Sequence, residues 1–153
     1  MRAAKGVVEF DVLAIWTHPH TSGNHRSKYV SALISMFERY QSVLRQGRTI
    51  ILGDINADGT LDPAELPTAL KLANEIYGVH SAYHAVTGEA IGAEEAKTYQ
   101  HGNGNTFHLD YVLLPQSWTI HSIQVESMSD WITTNLPARS DHAPVIVDFE
   151  VPA

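Results

Sequence analysis

The stretch TIILGDIN at residues 49–56 indicates the fold class more clearly than any other part of the sequence. Its first half, Thr49 to Leu52, is β-branched or apolar throughout and predicts a short buried strand. Its second half, Gly53 to Asn56, mixes glycine with carboxylate and amide side chains, a composition typical of a loop that leaves a strand. The sequence therefore predicts a buried strand with polar groups collected where it ends.

Strand-like and helix-like segments follow one another on both sides of this stretch. The predicted segments are, in order, a strand at 10–16, a helix at 28–44, the strand at 49–52, a helix at 63–77, an irregular segment at 78–106 and strands at 107–114, 119–127 and 144–151. The two helices are predicted from apolar residues at helical spacing, and the strands from β-branched and aromatic runs. This order predicts an α/β or α+β fold in which helices flank a mixed β-sheet.

The composition limits the classes of function. The chain has 153 residues, the length of one ordinary domain, and 44% of them are hydrophobic, which is enough to build one core. It has no cysteine, which excludes disulfides, a thiolate zinc site and a cysteine nucleophile. The net charge of -7 provides no basic field, so a phosphate substrate needs a metal or local donors. We expect no membrane span, because the apolar runs are far shorter than the ~20 residues that a span needs. We recognise no signal peptide, because Glu9 and Asp11 interrupt the early apolar residues. The cellular compartment stays open.

Three pairs of polar residues stand at strand ends or within predicted strands: Asp54 with Asn56, His108 with Asp110, and Asp141 with His142. A single pair is most often a set of turn residues, whereas three pairs on separate strands indicate a shared site. Asp110 lies inside the apolar run FHLDYVLL, where a buried carboxylate needs a partner, and we expect a histidine to supply it. A carboxylate that is hydrogen-bonded to an imidazole fixes the tautomer of the imidazole and raises the basicity of that ring. Both effects suit a histidine that acts as a general base or binds phosphate.

These pairs carry a resemblance to a known family. Three segments of this chain resemble motifs of that family and occur in the family's order. GDIN at 53–56 resembles the motif GDFN, HLDYV at 108–112 resembles (R/H)IDY(I/V), and SDHAP at 140–144 resembles SDHxP. The family is the endonuclease/exonuclease/phosphatase superfamily of metal-dependent phosphodiesterases and phosphatases. GVHSAYH at 78–84, the pair Thr98 and Tyr99, and Trp131 are similar to a bacterial branch of it. The resemblance covers the chain from about Phe10 onward.

The resemblance implies a divalent-metal-dependent phosphoesterase or nuclease-like hydrolase, in which water attacks the phosphorus of a phosphodiester or phosphomonoester directly. Nucleic acids and small phosphoesters both stay open as substrates. By resemblance, Asp54 orients and polarises the attacking water, and Asn56 holds that water and a phosphate oxygen. His142 acts as the base or contacts the phosphate, and Asp110 orients His142.

The resemblance also implies metal ligands and a further phosphate contact. Asp141 would bind Mg²⁺ or Mn²⁺, with Asp54 and Asn56 as further ligands, because a hard cation takes oxygen ligands and neutralises phosphoryl charge. His18, at the end of the first predicted strand, would match the family's strand-end histidine that contacts the phosphate. His20, two residues further on, is the alternative for this role.

The chain departs from the family in its first residues. Members have an earlier half with an Asn motif and with a metal-binding glutamate in a QE motif, and nothing before Phe10 resembles either. The resemblance therefore implies that residues 1–153 form a single domain equivalent to one half of the family's two-sheet, four-layer α/β sandwich. We expect an exposed apolar sheet face, covered by a second copy as a homodimer, by a partner that supplies the missing half or by the rest of a longer protein. We also expect the isolated chain to be a poor or inactive catalyst that binds magnesium weakly.

Residues 54–65 also match the calcium loop of an EF-hand, D-x-[DN]-x-[DN]-G-x5-E, with Asp58 and Glu65 among the ligand positions. An EF-hand needs a helix that leads into its first ligand, whereas a predicted strand precedes this loop. A Ca²⁺-binding module is therefore the alternative function, and the phosphohydrolase is the preferred one.

Overall fold

The computed structural model describes residues 9–18, 25–131 and 140–152, and of residues 25–27 it describes the backbone only. These ranges contain the strands β1 (Asp11–Trp16), β2 (Thr49–Asp54), β3 (Val79–Ser81), β4 (Tyr99–Gln100), β5 (Thr106–Phe107), β6 (Asp110–Pro115), β7 (Thr119–Val125) and β8 (Val145–Glu150). They contain the helices α1 (His25–Arg39), α2 (Gln41–Leu44), α3 (Glu65–Tyr77), α4 (Ala82–Thr87) and α5 (Met128–Trp131). Within the described ranges, no helix combines the length and the apolar character that a membrane span requires.

The strand predicted from TIIL, β2, lies inside a four-stranded sheet of order β1-β2-β6-β3. It pairs in parallel with β1 and antiparallel with β6, and β6 also pairs antiparallel with β3. Ile50 and Ile51 point to opposite faces of the sheet, and both are buried. The mixed α/β class predicted from the sequence is confirmed.

Helices cover one face of this sheet, and a second sheet covers part of the other. On the helical side, Leu33 of α1 and Leu66 of α3 belong to the same buried core as Ile51. On the opposite side, β7 and β8 form a two-stranded antiparallel sheet that packs around Ile50 and Trp118. The described chain therefore has three layers, with the larger sheet in the middle.

Two predicted elements are interrupted. The helix predicted at 28–44 breaks at Tyr40, whose backbone (φ −102°, ψ 14°) leaves helical geometry between α1 and α2. The strand predicted at 107–114 is divided into β5 and β6. The reason is that the N–H of Leu109 donates to the hydroxyl oxygen of Thr98 (2.9 Å) instead of to a neighbouring strand.

The segment at 78–106 contains β3, α4 and β4, so the prediction that it is irregular is wrong for these residues. The three elements are only 3, 6 and 2 residues long, too short to produce a periodic pattern in the sequence. Gly78 (φ +65°) and Gly88 (φ +74°) take the left-handed conformation that ends α3 and α4. Pairing with β6 and β5, rather than local sequence, gives the segment its order.

The outer strand β1 exposes apolar side chains on one face. Along β1, partly buried residues alternate with exposed ones. Val12 is 55% exposed and Trp16 is 71% exposed, whereas Leu13 and Ile15 pack against the helical core. An exposed apolar face was expected from the sequence, and Val12 and Trp16 are the large apolar residues that β1 exposes.

Candidate active site

The carboxyl end of β2 holds Asp54 and Asn56 in one hydrogen-bonded turn. The backbone N–H of Asn56 donates to Asp54 Oδ1 (2.8 Å), and the Asn56 side-chain amide donates to Asp54 Oδ2 (2.8 Å). Asn56 has φ +50°, a left-handed conformation that asparagine tolerates better than most residues. Its amide nitrogen also donates to the carbonyl oxygen of Thr17 (3.0 Å), which ties this turn to the segment after β1.

Gly53 lets β1 approach β2 immediately before this turn. It has φ +134°, and a Cβ atom at this position would lie 2.0 Å from the backbone oxygen of Ile15. Any other residue would force the two strands apart. The glycine of the GDIN motif is therefore required by the close packing of the strands that carry Asp54.

The next strand in the sheet brings the second polar pair to Asp54. Asp54 and Asp110 are directly opposite partners in the β2–β6 ladder. His142 Nδ1 donates to Asp110 Oδ2 at 2.8 Å, so the predicted contact between these two side chains is confirmed. The sequence motifs GDIN, HLDYV and SDHAP thus meet at one end of the sheet.

Thr98 and Tyr99 connect β6, which carries Asp110, with the segment before β8 that carries His142. The hydroxyl oxygen of Thr98 accepts a hydrogen bond from the N–H of Asp110 (3.0 Å), and its carbonyl oxygen accepts one from the N–H of Ala143 (2.8 Å). The Tyr99 ring lies 4.8 Å from the His142 ring, between centroids. The sequence marked this pair only through its resemblance to the bacterial branch, and the structure shows what the pair contacts.

Burial and nearby charges shift the pKa values of Asp54 and Tyr99 at this end of the sheet. Burial raises the pKa of Asp54, and the charge of Asp110 adds to this, while hydrogen bonds from Asn56 and the proximity of His142 act in the opposite direction. Burial also raises the pKa of Tyr99, with smaller contributions from the charges of Asp141 and Asp54. A carboxylate with a raised pKa binds a proton more readily near neutral pH than an ordinary aspartate does.

The Asp110–His142 pair opens into a cleft of about 360 Å³. The lining residues include Gly53, Asp110, Trp131, Ser140, His142 and Pro144. The side chains of His142 and Asp110 are 29% and 23% exposed, so both are accessible to a small ligand. Because Nδ1 of His142 is bound to Asp110, Nε2 is the ring nitrogen available to such a ligand.

The remaining predicted residues lie at the margin of this group. Asp141 is exposed, and its carbonyl oxygen accepts a hydrogen bond from Gln100 (3.0 Å). His18 is exposed beyond β1, and its ring stands edge-on to Trp16 at 5.6 Å. His20 lies outside the described residues, so the choice between these two histidines is unaltered.

The described side chains do not include a preformed metal-binding group. In the ranges 9–18, 28–131 and 140–152, no three His, Asp or Glu side chains are grouped so that they could hold a metal ion. Both carboxylate oxygens of Asp54 already accept hydrogen bonds from Asn56. The described residues therefore do not form a complete metal site by themselves.

The loop that resembles an EF-hand uses its central carboxylate internally. Asp58 is buried, and its Oδ1 accepts hydrogen bonds from the N–H (2.7 Å) and the hydroxyl of Thr60. Its Oδ2 accepts one from the N–H of His108 (2.9 Å). Glu65 is exposed at the start of α3. A strand, β2, leads into the loop, in place of the helix that an EF-hand has.

A further polar group escaped the sequence analysis. His84 Nδ1 lies 2.8 Å from Ser81 Oγ, and His84 Nε2 lies 3.0 Å from Glu94 Oε1. Glu94 is only 2% exposed. Its neighbour Glu95 is exposed, and nothing in the local sequence distinguishes the two glutamates. Only the folded structure, which brings His84 against Glu94, identifies this group.

No protein-family model matches this chain, and no curated protein matches it. The geometry defines a polar group: an imidazole oriented by one carboxylate in an open cleft, beside a second carboxylate that is held by an asparagine. Such a group can orient a water molecule and accept a proton, and protonated His142 can donate a hydrogen bond from Nε2 to an anionic oxygen.

Proposed function

We propose that this chain is a phosphoesterase-type hydrolase that cleaves a phosphodiester or a phosphomonoester by direct attack of water. The observation that carries the proposal is the 2.8 Å hydrogen bond between His142 and Asp110, directly opposite Asp54 in the sheet and open to a cleft. The resemblance of the three motifs to the endonuclease/exonuclease/phosphatase superfamily supports the same function.

In this proposal His142 contacts the phosphate or accepts a proton through Nε2. Its Nδ1–H donates to Asp110, which fixes the tautomer with a lone pair on Nε2 and stabilises the imidazolium if the ring gains a proton. The arrangement is the same orienting contact that general-base histidines use in other hydrolases. Asp110 is therefore assigned as the residue that orients His142.

Asp54 and Asn56 would position the attacking water. Burial raises the pKa of Asp54, which makes its carboxylate a better proton acceptor. The water oxygen forms a bond to phosphorus, the bond from phosphorus to the leaving oxygen breaks, and the proton of the water passes to Asp54 or His142. The leaving oxygen finally takes up a proton from that acceptor or from solvent, so a phosphodiester gives a phosphomonoester and an alcohol, and a phosphomonoester gives phosphate and an alcohol.

The proposed cofactor is Mg²⁺ or Mn²⁺, held by Asp141, Asp54 and Asn56. Such an ion would neutralise charge on the phosphoryl oxygens. Because the described side chains include no cluster of three metal-binding groups, the ion would need further ligands from water, the substrate or another polypeptide. Weak ion binding and slow turnover are therefore part of the proposal for the isolated chain.

The alternative, a Ca²⁺-binding module at 54–65, has less support from the geometry. Asp58 is almost fully buried, its Oδ1 already accepts two hydrogen bonds and its Oδ2 accepts a third, so this carboxylate has little capacity left for an ion. The phosphohydrolase needs no such rearrangement of Asp110 and His142.

Hydrolysis assays on the full chain test the proposal. Nitrophenyl phosphodiester and phosphomonoester substrates are supplied with Mg²⁺ or Mn²⁺, and Asp110→Asn is compared with Asp148→Asn, a change at an exposed position on β8. We expect Asp110→Asn to lower the rate by about 10²-fold or more and Asp148→Asn to leave it unchanged. Equal rates for the two variants, or no hydrolysis above the metal-only control, would contradict the proposal.

A further inference from the structure

Three buried side chains beside the active site each carry a polar atom that lacks a hydrogen-bond partner among the described residues. The atoms are Glu94 Oε2, His108 Nε2 and the hydroxyl of Tyr111, and the three side chains are called the buried polar cluster below. The three residues are 1% to 3% exposed, so bulk solvent does not satisfy these atoms. Buried polar atoms are paired in nearly all native proteins, which makes three adjacent exceptions informative.

The three side chains lie near one another in the interior. The rings of His108 and Tyr111 stand edge to face, with centroids 5.0 Å apart. His84, which binds Glu94 Oε1 at 3.0 Å, has its ring centroid 6.1 Å from each of these two rings. The negative charge of Glu94 acts on both His108 and Tyr111. The cluster is therefore compact.

The hydrogen-bonding state of each atom follows from its other contacts. His108 Nδ1 lies 2.9 Å from the carbonyl oxygen of Ala96, so Nδ1 carries the proton and Nε2 has a lone pair. Burial lowers the pKa of His108, which keeps the ring neutral. Burial would raise the pKa of Glu94, but hydrogen bonds from His84 and Gly92 outweigh it and lower the pKa to about 2, so Oε2 is a bare acceptor.

The hydroxyl of Tyr111 is the hydrogen-bond donor of the buried polar cluster. Burial and the nearby charges of Glu94 and Asp58 raise the pKa of Tyr111 well above its ordinary value, so its hydroxyl stays protonated. The cluster thus contains two acceptors, Glu94 Oε2 and His108 Nε2, and one hydroxyl donor. Direct pairing would leave one acceptor without a proton.

We propose that the buried polar cluster binds one internal water molecule, which donates to Glu94 Oε2 and to His108 Nε2 and accepts a hydrogen bond from the Tyr111 hydroxyl. Water is the small ligand with two donated hydrogens and a free lone pair, and buried waters typically make about three hydrogen bonds. A metal ion fits less well, because the described side chains contain no cluster of three His, Asp or Glu groups that could bind one.

The water site lies against the segment that carries Asp110. His108 and Tyr111 flank this residue in the sequence, and the N–H groups of Leu109 and Asp110 both donate to Thr98 Oγ1. The water links both flanking side chains to Glu94 and so holds the segment in place. This role in anchoring the backbone does not depend on the proposed hydrolase activity.

Nuclear magnetic resonance on the full chain tests the inference. We expect a magnetisation-transfer signal between a long-lived water and the ring protons of His108, with His108 Nε2 unprotonated at neutral pH. Tyr111→Phe removes the donated hydrogen bond and should shorten the residence time of this water by about tenfold or more. It should also speed exchange of the Leu109 and Asp110 amide protons. Tyr77→Phe, a change at a tyrosine that packs on Phe37 instead, should leave both unchanged.

Several results would overturn the inference. One is a direct hydrogen bond between Tyr111 and Glu94 with no long-lived water near His108, and another is a stoichiometric metal ion that shifts the ring resonances of His108. Identical water signals in Tyr111→Phe and the native chain would also contradict it. The measurement on the native chain decides the question alone if Tyr111→Phe does not fold.

Discussion

Replacing Glu94 by Gln isolates the contribution of one buried charge to stability. Glu94 is 2% exposed, and its Oε1 lies 3.0 Å from His84 Nε2 and accepts a hydrogen bond from the N–H of Gly92 (2.9 Å). Glutamine keeps the shape and one acceptor oxygen but removes the negative charge. The change therefore tests how strongly the fold favours the ionised carboxylate.

The magnitude follows from the pKa. Burial raises the pKa of Glu94, but the bonds from His84 and Gly92 outweigh it and lower the pKa from 4.5 to about 2. Because one pKa unit corresponds to about 1.4 kcal/mol, ionised Glu94 stabilises the folded state by about 3 kcal/mol at pH 7. A depressed pKa gives stability that is present above pH 4.5 and lost as the pH falls toward 2, so about 2 kcal/mol should remain at pH 3.5.

Urea denaturation at pH 7 and pH 3.5 measures this contribution. We expect Glu94→Gln to lower the free energy of unfolding by about 3 kcal/mol at pH 7, with a smaller loss at pH 3.5 and an unchanged dependence on urea. Glu95→Gln, at the exposed neighbouring position, should stay within about 0.5 kcal/mol of the native chain. A loss for Glu94→Gln that equals the control, or that does not shrink at low pH, would refute the reasoning.

Three further predictions concern the active site, the loop and the exposed strand. Because burial raises the pKa of Asp54, the charge of this carboxylate opposes folding above pH 3.8. At pH 7, Asp54→Asn should therefore unfold at an equal or higher temperature than the native chain, and the difference should close at pH 3. A lower unfolding temperature for the variant at pH 7 would contradict this. In calorimetric titration with Ca²⁺, Glu65→Gln should change nothing, whereas tight native binding abolished by this variant would support the calcium module. By light scattering the chain should self-associate through the face that includes Val12 and Trp16, and Trp16→Ser should weaken association; a native monomer would contradict this.

The polar pairs of the candidate active site could be predicted because the residues that identify them are neighbours in the sequence. TIIL is apolar and β-branched and forms β2, and the glycine and asparagine that follow it have backbone conformations suited to those residues. Asp110 lies in an apolar run, and a carboxylate among apolar neighbours needs a hydrogen-bond partner. This argument predicted a histidine partner, and the family resemblance identified it as His142; the structure confirms the contact and shows that Asp110 is only partly buried.

Residues 78–106 were not predictable for the opposite reason. Their elements are short, and they are held by contacts with residues outside the segment, such as the hydrogen bonds that the Thr98 hydroxyl accepts from the N–H groups of Leu109 and Asp110. Asp58 shows the same limit in the EF-hand-like loop, because only the fold shows that its carboxylate binds the backbone of His108. Periodicity and motif spacing carry no information about such contacts.

The rate of Mg²⁺-dependent phosphodiester hydrolysis by His142→Ala tests the central claim most directly. The native chain should hydrolyse a nitrophenyl phosphodiester slowly but above the metal-only rate, and His142→Ala should lower that rate by roughly 10² to 10⁴-fold. His121→Ala, a change at an exposed histidine on β7, is the matched control and should keep the native rate. Native-like hydrolysis by His142→Ala, or an equal loss in His121→Ala, would contradict the assignment of His142 and Asp110 as a phosphohydrolase pair.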